Sequence, residues 1–211
     1  MPKPPRSRKS PFDRPRTPLL IILSGPSGAG KDAALARMKE LDFPLKYITT
    51  LTTRPRRPEE KNKRDYHFVR VKKFQEMMAN NELLEWAQVY GNWYGVPRKD
   101  VKQALDSGQD TIIKVDVQGA ATIKRLLPQA VFIFLMPPSI DDILARLKQR
   151  QTESSADLVL RLKTAEDEIK QLHLFDYVVI SHRDEVDRAV SDIKAIITAE
   201  KCRVAPRQIT L

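Results

Sequence analysis

Cysteine is nearly absent from this chain: Cys202 stands alone near the C-terminus. One thiol cannot close an internal disulfide. A disulfide-stapled secreted scaffold is therefore excluded, and a reducing compartment, the cytoplasm, is expected. Long apolar runs are missing as well, and no stretch approaches the ~18 residues that mark a membrane-spanning helix. The basic N-terminus lacks the apolar segment of a secretory signal, because prolines interrupt it throughout. Acidic residues are outnumbered, 27 Asp and Glu against 37 Lys and Arg, for a net charge of +10. Half of that excess lies in residues 1–17, where six basic residues face only Asp13. A segment so rich in proline and charge buries too little apolar surface to fold, so residues 1–18 are expected to be a disordered leader. Glycine is scarce too, 7 in 211 residues, which makes its placement informative.

Three of the seven glycines share one run, Gly25-Pro26-Ser27-Gly28-Ala29-Gly30-Lys31-Asp32, behind an apolar strand and ahead of a helical pattern. This is G-x-x-x-x-G-K in the context of a phosphate-binding P-loop. Glycines let the backbone approach anionic oxygens and turn N–H groups inward, and the helix that follows adds its positive end. Lys31 then reaches the outer phosphates. Asp32 stands where a P-loop normally places the Ser or Thr hydroxyl that ligates Mg²⁺. A carboxylate is also a hard oxygen ligand, so Asp32 is the candidate magnesium ligand; the other reading is a loss of activity.

The rest of the chain is 41% hydrophobic and 30% charged, as in a globular domain with a real core. Apolar runs predict strands at 19–24, 45–50, 66–71, 83–90, 111–115, 131–135 and 177–180. Helical periodicity marks 33–39, 72–81, 99–107, 120–127, 140–149, 155–172 and 186–201. Residues 51–65 read as an exposed loop and 92–97 as a turn. Alternating strands and helices predict an α/β fold with a parallel sheet covered on both faces. Residues 50–98 break the alternation and read as an insertion.

Four further groups carry candidate chemistry. Arg54 and Arg57, with Thr50 before them and Tyr66 after, suit a grip on a phosphate; alone, such a loop reads equally as a solvated basic surface or a nucleic-acid patch. Glu85 could accept from the N–H groups of a guanine edge, or be a surface glutamate beside Trp86. Asp116 ends a core strand, where α/β sheets place ligand chemistry, or simply caps the next segment. Arg146, Arg150 and Arg161 lie on two helices where mobile arginines could neutralise a transferring phosphoryl group.

Taken in order, these pieces resemble the guanylate kinase family from about residue 19 to residue 201. The resemblance rests on the P-loop, Thr52-Thr53-Arg54 with Arg57, Asp65-Tyr66-His67-Phe68, Glu85-Trp86-Ala87, Asn92-Trp93-Tyr94-Gly95 and Asp116-Val117-Gln118-Gly119. It implies phosphorylation of GMP by ATP with Mg²⁺. Residues 25–32 would bind ATP, with Lys31, Arg150 and Arg161 catalytic and Arg146 a further candidate. Thr50, Arg54, Arg57, Tyr66 and Tyr94 would hold the GMP phosphate, and Glu85 and Asp116 would read guanine. It further implies a P-loop parallel-sheet core at 19–49, 99–137 and 173–201, an inserted GMP-binding lobe at 50–98, a helical lid at 138–172 and a tail at 202–211. A homodimer is left open, and no specific nucleic acid or membrane is expected as partner. The chain departs from the family pattern at Asp32, at Val96 (where Ser is common), and at Glu59 and Lys63, which replace two loop glycines. Retention of Glu85 and Asp116 argues against a related kinase of a phosphorylated sugar. Retention of Lys31 argues against an interaction module without turnover.

Overall fold

The computed structural model describes residues 17–149 and 155–211. Most of the predicted leader lies outside these residues, as does Arg150. The chain opens with strand β1 (Leu20–Ser24), the glycine loop and helix α1 (Lys31–Glu40), followed by β2 (Lys46–Ile48). The insertion contributes β3 (Leu51–Thr52), β4 (His67–Phe68), α2 (Val71–Ala79), β5 (Leu83–Val89) and β6 (Asn92–Pro97). The alternating pattern then resumes with α3 (Arg98–Asp106), β7 (Thr111–Lys114), α4 (Val117–Leu126) and β8 (Val131–Met136). Helices α5 (Ile140–Gln149) and α6 (Ser155–Lys170) lead to β9 (Tyr177–Ile180) and α7 (Val186–Lys201).

Five strands form one parallel sheet in the order β2-β7-β1-β8-β9. All five residues of β1 are buried because both faces of the sheet are covered. Successive side chains of a strand point to opposite faces, and β1 divides accordingly. Leu20 and Ile22 join the cluster containing Val101 and Ala104 of α3 and Ile123 of α4. Ile21 and Leu23 join Ala34 and Met38 of α1 and Val190 and Ile193 of α7. The expected α/β core with helices on both faces is therefore present.

The insertion forms its own four-stranded sheet, β4-β3-β6-β5, with Phe74 of α2 fully buried against Leu51 and Leu83. Two sequence expectations change here. Leu51–Thr52 is a buried strand rather than loop, and Asn92–Pro97 is a strand rather than a turn. The turn falls two residues earlier, at Tyr90 (φ 48°) and Gly91 (φ 75°), a pair of left-handed residues that suits a two-residue hairpin. Pro97 is tolerated because it is the last residue of β6. Lys63, which replaces a loop glycine, keeps a left-handed conformation at φ 67°, held by its N–H donating to the Tyr66 carbonyl at 2.8 Å.

The C-terminal residues pack back onto the core. Arg207 donates through Nε and Nη2 to Glu200 at 2.8 Å each, and through Nη1 to the Ala130 carbonyl at 3.1 Å. The Tyr177 hydroxyl adds a 2.6 Å bond to the same carboxylate, which belongs to a residue only 2% exposed. Removing Arg207 leaves the Glu200 carboxylate with only the Tyr177 hydroxyl and the longer Arg203 contact at 3.8 Å, so Arg207→Met is expected to destabilise the fold by about 1–3 kcal/mol. Glu200→Met with Arg207→Met should be far milder. The Arg207 hydrogen bonds hold the Glu200 carboxyl below the ordinary range. Its stabilisation is thus present above the unfolded carboxylate pKa and lost as pH falls through the lower folded value. Urea titrations of parent and variants should therefore differ strongly at neutral pH and converge in acid; equal differences at both would reject this account.

Candidate active site

The P-loop takes its shape from contacts that side chains would forbid. Gly25 has φ 138°, and a Cβ there would lie 1.9 Å from the Leu135 carbonyl oxygen of the neighbouring strand. Gly30, at φ 95°, starts α1 without any side-chain cap, so the first-turn N–H groups remain available to an anion. Lys31 folds back across the loop, its Nζ donating to the Gly25 carbonyl at 2.5 Å and to the Pro26 carbonyl at 3.0 Å. Burial draws the Lys31 pKa below its usual value, opposed chiefly by the charges of Glu168 and Asp32.

Facing the loop across a cleft is the arginine cluster carried by the insertion. Arg54 Nη2 pairs with Glu60 Oε1 at 2.6 Å, and the backbone N–H of Arg57 donates to Glu60 Oε2 at 2.8 Å. Burial works against the charge on Glu60, but these bonds hold its carboxyl below the ordinary range. Tyr66 stacks edge-on with Tyr94 at 6.1 Å and lies 5.6 Å from the Arg54 guanidinium. Thr50, 5% exposed, completes this wall.

Between the two walls lies a carboxylate with unmet capacity. Glu85, 4% exposed, sits on β5 beside a slip in the strand register between Leu83 and Glu85. Bulges of this kind recur next to functional side chains. Its Oε2 has no hydrogen-bond partner, and burial, reinforced by the charge of Asp116, pushes its pKa well above the usual value. Gly119 makes the room: a Cβ there would come within 2.8 Å of that same oxygen. Asp116 both caps α4, accepting from the Gly119 N–H at 2.9 Å, and lines the cleft.

Of the residues singled out from the sequence, nearly all converge on this one cleft. Gly25, Ser27, Gly28, Ala29, Gly30, Lys31 and Asp32 line it, together with Thr50, Arg54, Arg57, Tyr66, Glu85, Tyr94, Asp116 and Arg161. Pro26 contributes its carbonyl to Lys31 instead. Arg161 reaches the loop from α6, its Nη1 3.3 Å from Ser27 Oγ and its guanidinium 4.8 Å from the Tyr90 ring centre. Arg146 is tied behind the loop, donating to the Gly28 and Ala29 carbonyls and, at 2.5 Å, to that of Ser181.

Two residues on the cleft wall escaped the sequence reading. Lys114, at the end of β7, pairs with Asp32 and lies 4.1 Å from the Tyr66 ring centre. Burial disfavours its charge, but Asp32 and Tyr66 outweigh that and raise its pKa above the usual value. Glu168, on α6, lines the same cleft; burial raises its carboxyl to about 7 against the pull of Lys31. The only sequence signal for Lys114 was a charged residue inside an otherwise apolar strand. Glu168 had none beyond one more acid on an amphipathic helix.

A parallel sheet with a glycine loop opening α1, and a cationic wall opposite, defines a P-loop protein built to bring two phosphate-bearing ligands together. Comparison with known proteins makes this particular. The guanylate kinase family profile matches residues 17–200. The guanylate kinase of Desulfitobacterium hafniense is 44% identical over 186 residues, covering 88% of this chain and 92% of that protein. Guanylate kinase 2, chloroplastic/mitochondrial, of Oryza sativa subsp. japonica is 39% identical over 202 residues, 95% of this chain and 71% of its own length. The crystal structure of guanylate kinase from Anaplasma phagocytophilum superposes with a TM-score of 0.74 at 30% identity, covering 89% and 88% of the two chains. The chain belongs to the guanylate kinase family.

Proposed function

We infer that this cleft transfers the γ-phosphoryl group of ATP to the phosphate of GMP, giving ADP and GDP. The observation that carries the reading is the buried Glu85 carboxylate, one oxygen of which has no partner, set between the P-loop and an arginine cluster. The N1–H and N2–H₂ groups of guanine supply two adjacent donors, which a carboxylate accepts well; an adenine edge offers no such pair. Asp116 stands beside Glu85 for the same edge. The GMP phosphate would sit among Thr50, Arg54, Arg57, Tyr66 and Tyr94, taking over the role that the Glu60 carboxylate plays toward the two arginines.

The triphosphate would lie along residues 25–32, with Lys31 on its outer phosphates. An oxygen of the GMP phosphate attacks the γ-phosphorus as the bond to the β–γ bridging oxygen breaks, and ADP leaves with that electron pair. Little covalent work falls to the protein. Lys31 and Arg161 neutralise charge on the moving group, and the two walls hold donor and acceptor in line. Arg150 is proposed for the same role from the sequence alone. We place the acceptor lobe at residues 50–98 and the lid at 138–172, where Arg161 of α6 reaches the P-loop.

Magnesium fits this wall. Kinase sites usually hold Mg²⁺ through one or two carboxylates, with phosphate oxygens and water completing the shell. Asp32, its side chain 65% exposed at the start of α1, offers such a carboxylate. Among the described residues no group of three or more acidic, His or Cys ligands could hold a metal unaided. The ion would supply neutralisation of phosphate charge. Among the described residues no helix is long and apolar enough to cross a membrane. We place the enzyme in the cytoplasm, which the exposed free thiol of Cys202 suits.

Measuring ADP formation with GMP, AMP, CMP and UMP as acceptors tests the reading. Turnover is expected with GMP, and at least about a hundredfold less efficiently with AMP, since a site built to pair with buried polar groups discriminates strongly. No turnover with any acceptor would remove the kinase reading. Preference for AMP would remove the role given to Glu85.

A further inference from the structure

Asp32 poses an electrostatic problem that the P-loop reading leaves open. It places a carboxylate at the mouth of a site meant for a highly charged triphosphate. Like charges a few ångströms apart repel, and the 65% exposure of the Asp32 side chain screens that repulsion only in part. A metal ion could offset that charge only when it is bound.

The chain carries its own compensation. Lys114 lies 82 residues away in sequence, on the strand hydrogen-bonded to β1 at the Leu23–Lys114 pairing. That pairing sets its side chain, only 12% exposed, beside the first turn of α1. There the ammonium engages Asp32 Oδ1, and it also lies against the face of Tyr66, 4.1 Å from the ring centre. The lysine therefore touches both walls of the cleft: the P-loop exit through Asp32, and the proposed acceptor-phosphate wall through Tyr66. It also lines the adjoining cavity beyond Tyr66.

We propose that Lys114 is a positioning residue that makes an aspartate workable at the P-loop exit. Its ammonium holds the Asp32 carboxylate and cancels its charge, so the phosphates of ATP meet a neutral pair rather than an anion. The pair acts as a unit. Removing Lys114 alone leaves Asp32 beside the phosphates without that ammonium; removing the charge of Asp32 alone releases the ammonium toward them. The inference rests on the triphosphate lying along residues 25–32.

Binding of ATP in the presence of a chelator, measured by titration calorimetry, isolates this effect from any metal. Lys114→Met is expected to weaken metal-free ATP about tenfold in the parent, but by no more than about threefold in an Asp32→Asn background, the coupling typical of contacting residues. Asp32→Asn alone, a change at an exposed side chain, should tighten metal-free ATP severalfold. It serves as the independent check if Lys114→Met does not fold, which melting curves would show. Equal weakening by Lys114→Met in both backgrounds, no weakening in the parent, or weaker binding by Asp32→Asn would each overturn the pair. A parent that turns over GMP but binds no metal-free ATP would overturn it as well. A parent with neither activity would instead overturn the placement of the triphosphate.

Discussion

Lys31→Met is expected to lower kcat about a thousandfold, the upper range for removing one preorganised charge from a transition state. The lysine holds its position before any ligand arrives, through the Gly25 and Pro26 carbonyls. Methionine matches much of its length and removes only the cation. Because burial already disfavours the charged form of Lys31, the substitution should leave the melting temperature close to that of the parent. Glu168 provides an internal control. Lys31 is what pulls the Glu168 carboxyl downward, so without it Glu168 should titrate above its present value of about 7. Steady-state ADP formation and thermal melts decide the matter. A kcat within tenfold of the parent would show that Lys31 does not serve the transferring group.

Glu85→Gln should lower kcat/KM for GMP by about a hundredfold or more while raising the stability of the unliganded protein. The two effects share one cause. A buried carboxylate with an unpartnered oxygen destabilises the free fold and becomes favourable only when donors arrive. Glutamine keeps the shape, removes the charge and presents a donor where guanine also presents donors. The sign with pH follows from the raised carboxyl, caused first by burial and then by Asp116. The folded state holds its proton more tightly than the unfolded one, so stability falls as pH rises from the unfolded pKa toward the folded value. The gain in melting temperature for Glu85→Gln should therefore be larger at pH 8 than at pH 4. A variant that kept full efficiency with GMP would end the proposed reading of guanine by Glu85. A variant that lost efficiency without gaining stability would end the account of a destabilised free site.

Much of the core could be read from local pattern. The run Leu20-Ile21-Ile22-Leu23 is apolar at every position because both sheet faces are covered, and continuous apolarity is visible without a partner. The insertion was less legible. Leu51–Thr52 is a strand only because it pairs with Tyr94 and Gly95, about forty residues later. Residues 92–97 carry Gly95 and Pro97, which read locally as turn signals, yet Gly95 is needed because a Cβ there would lie 2.9 Å from the Phe74 ring. Packing outweighed propensity, as it commonly does in strands.

The sequence by itself determined the loop that can cradle phosphate, because its glycines, its lysine and the flanking strand and helix are contiguous and their conformational demands are local. It also supplied the proposed acceptor residues as a set of types in order. Only the tertiary structure decided how those residues meet. It brought Glu85 under Asp116 and opened space for it at Gly119. It set Glu168 in the same cleft as Lys31, and it gave Asp32 a lysine partner from a different strand. Charge compensation acts through space over a few ångströms, whereas separation along the chain carries no record of it.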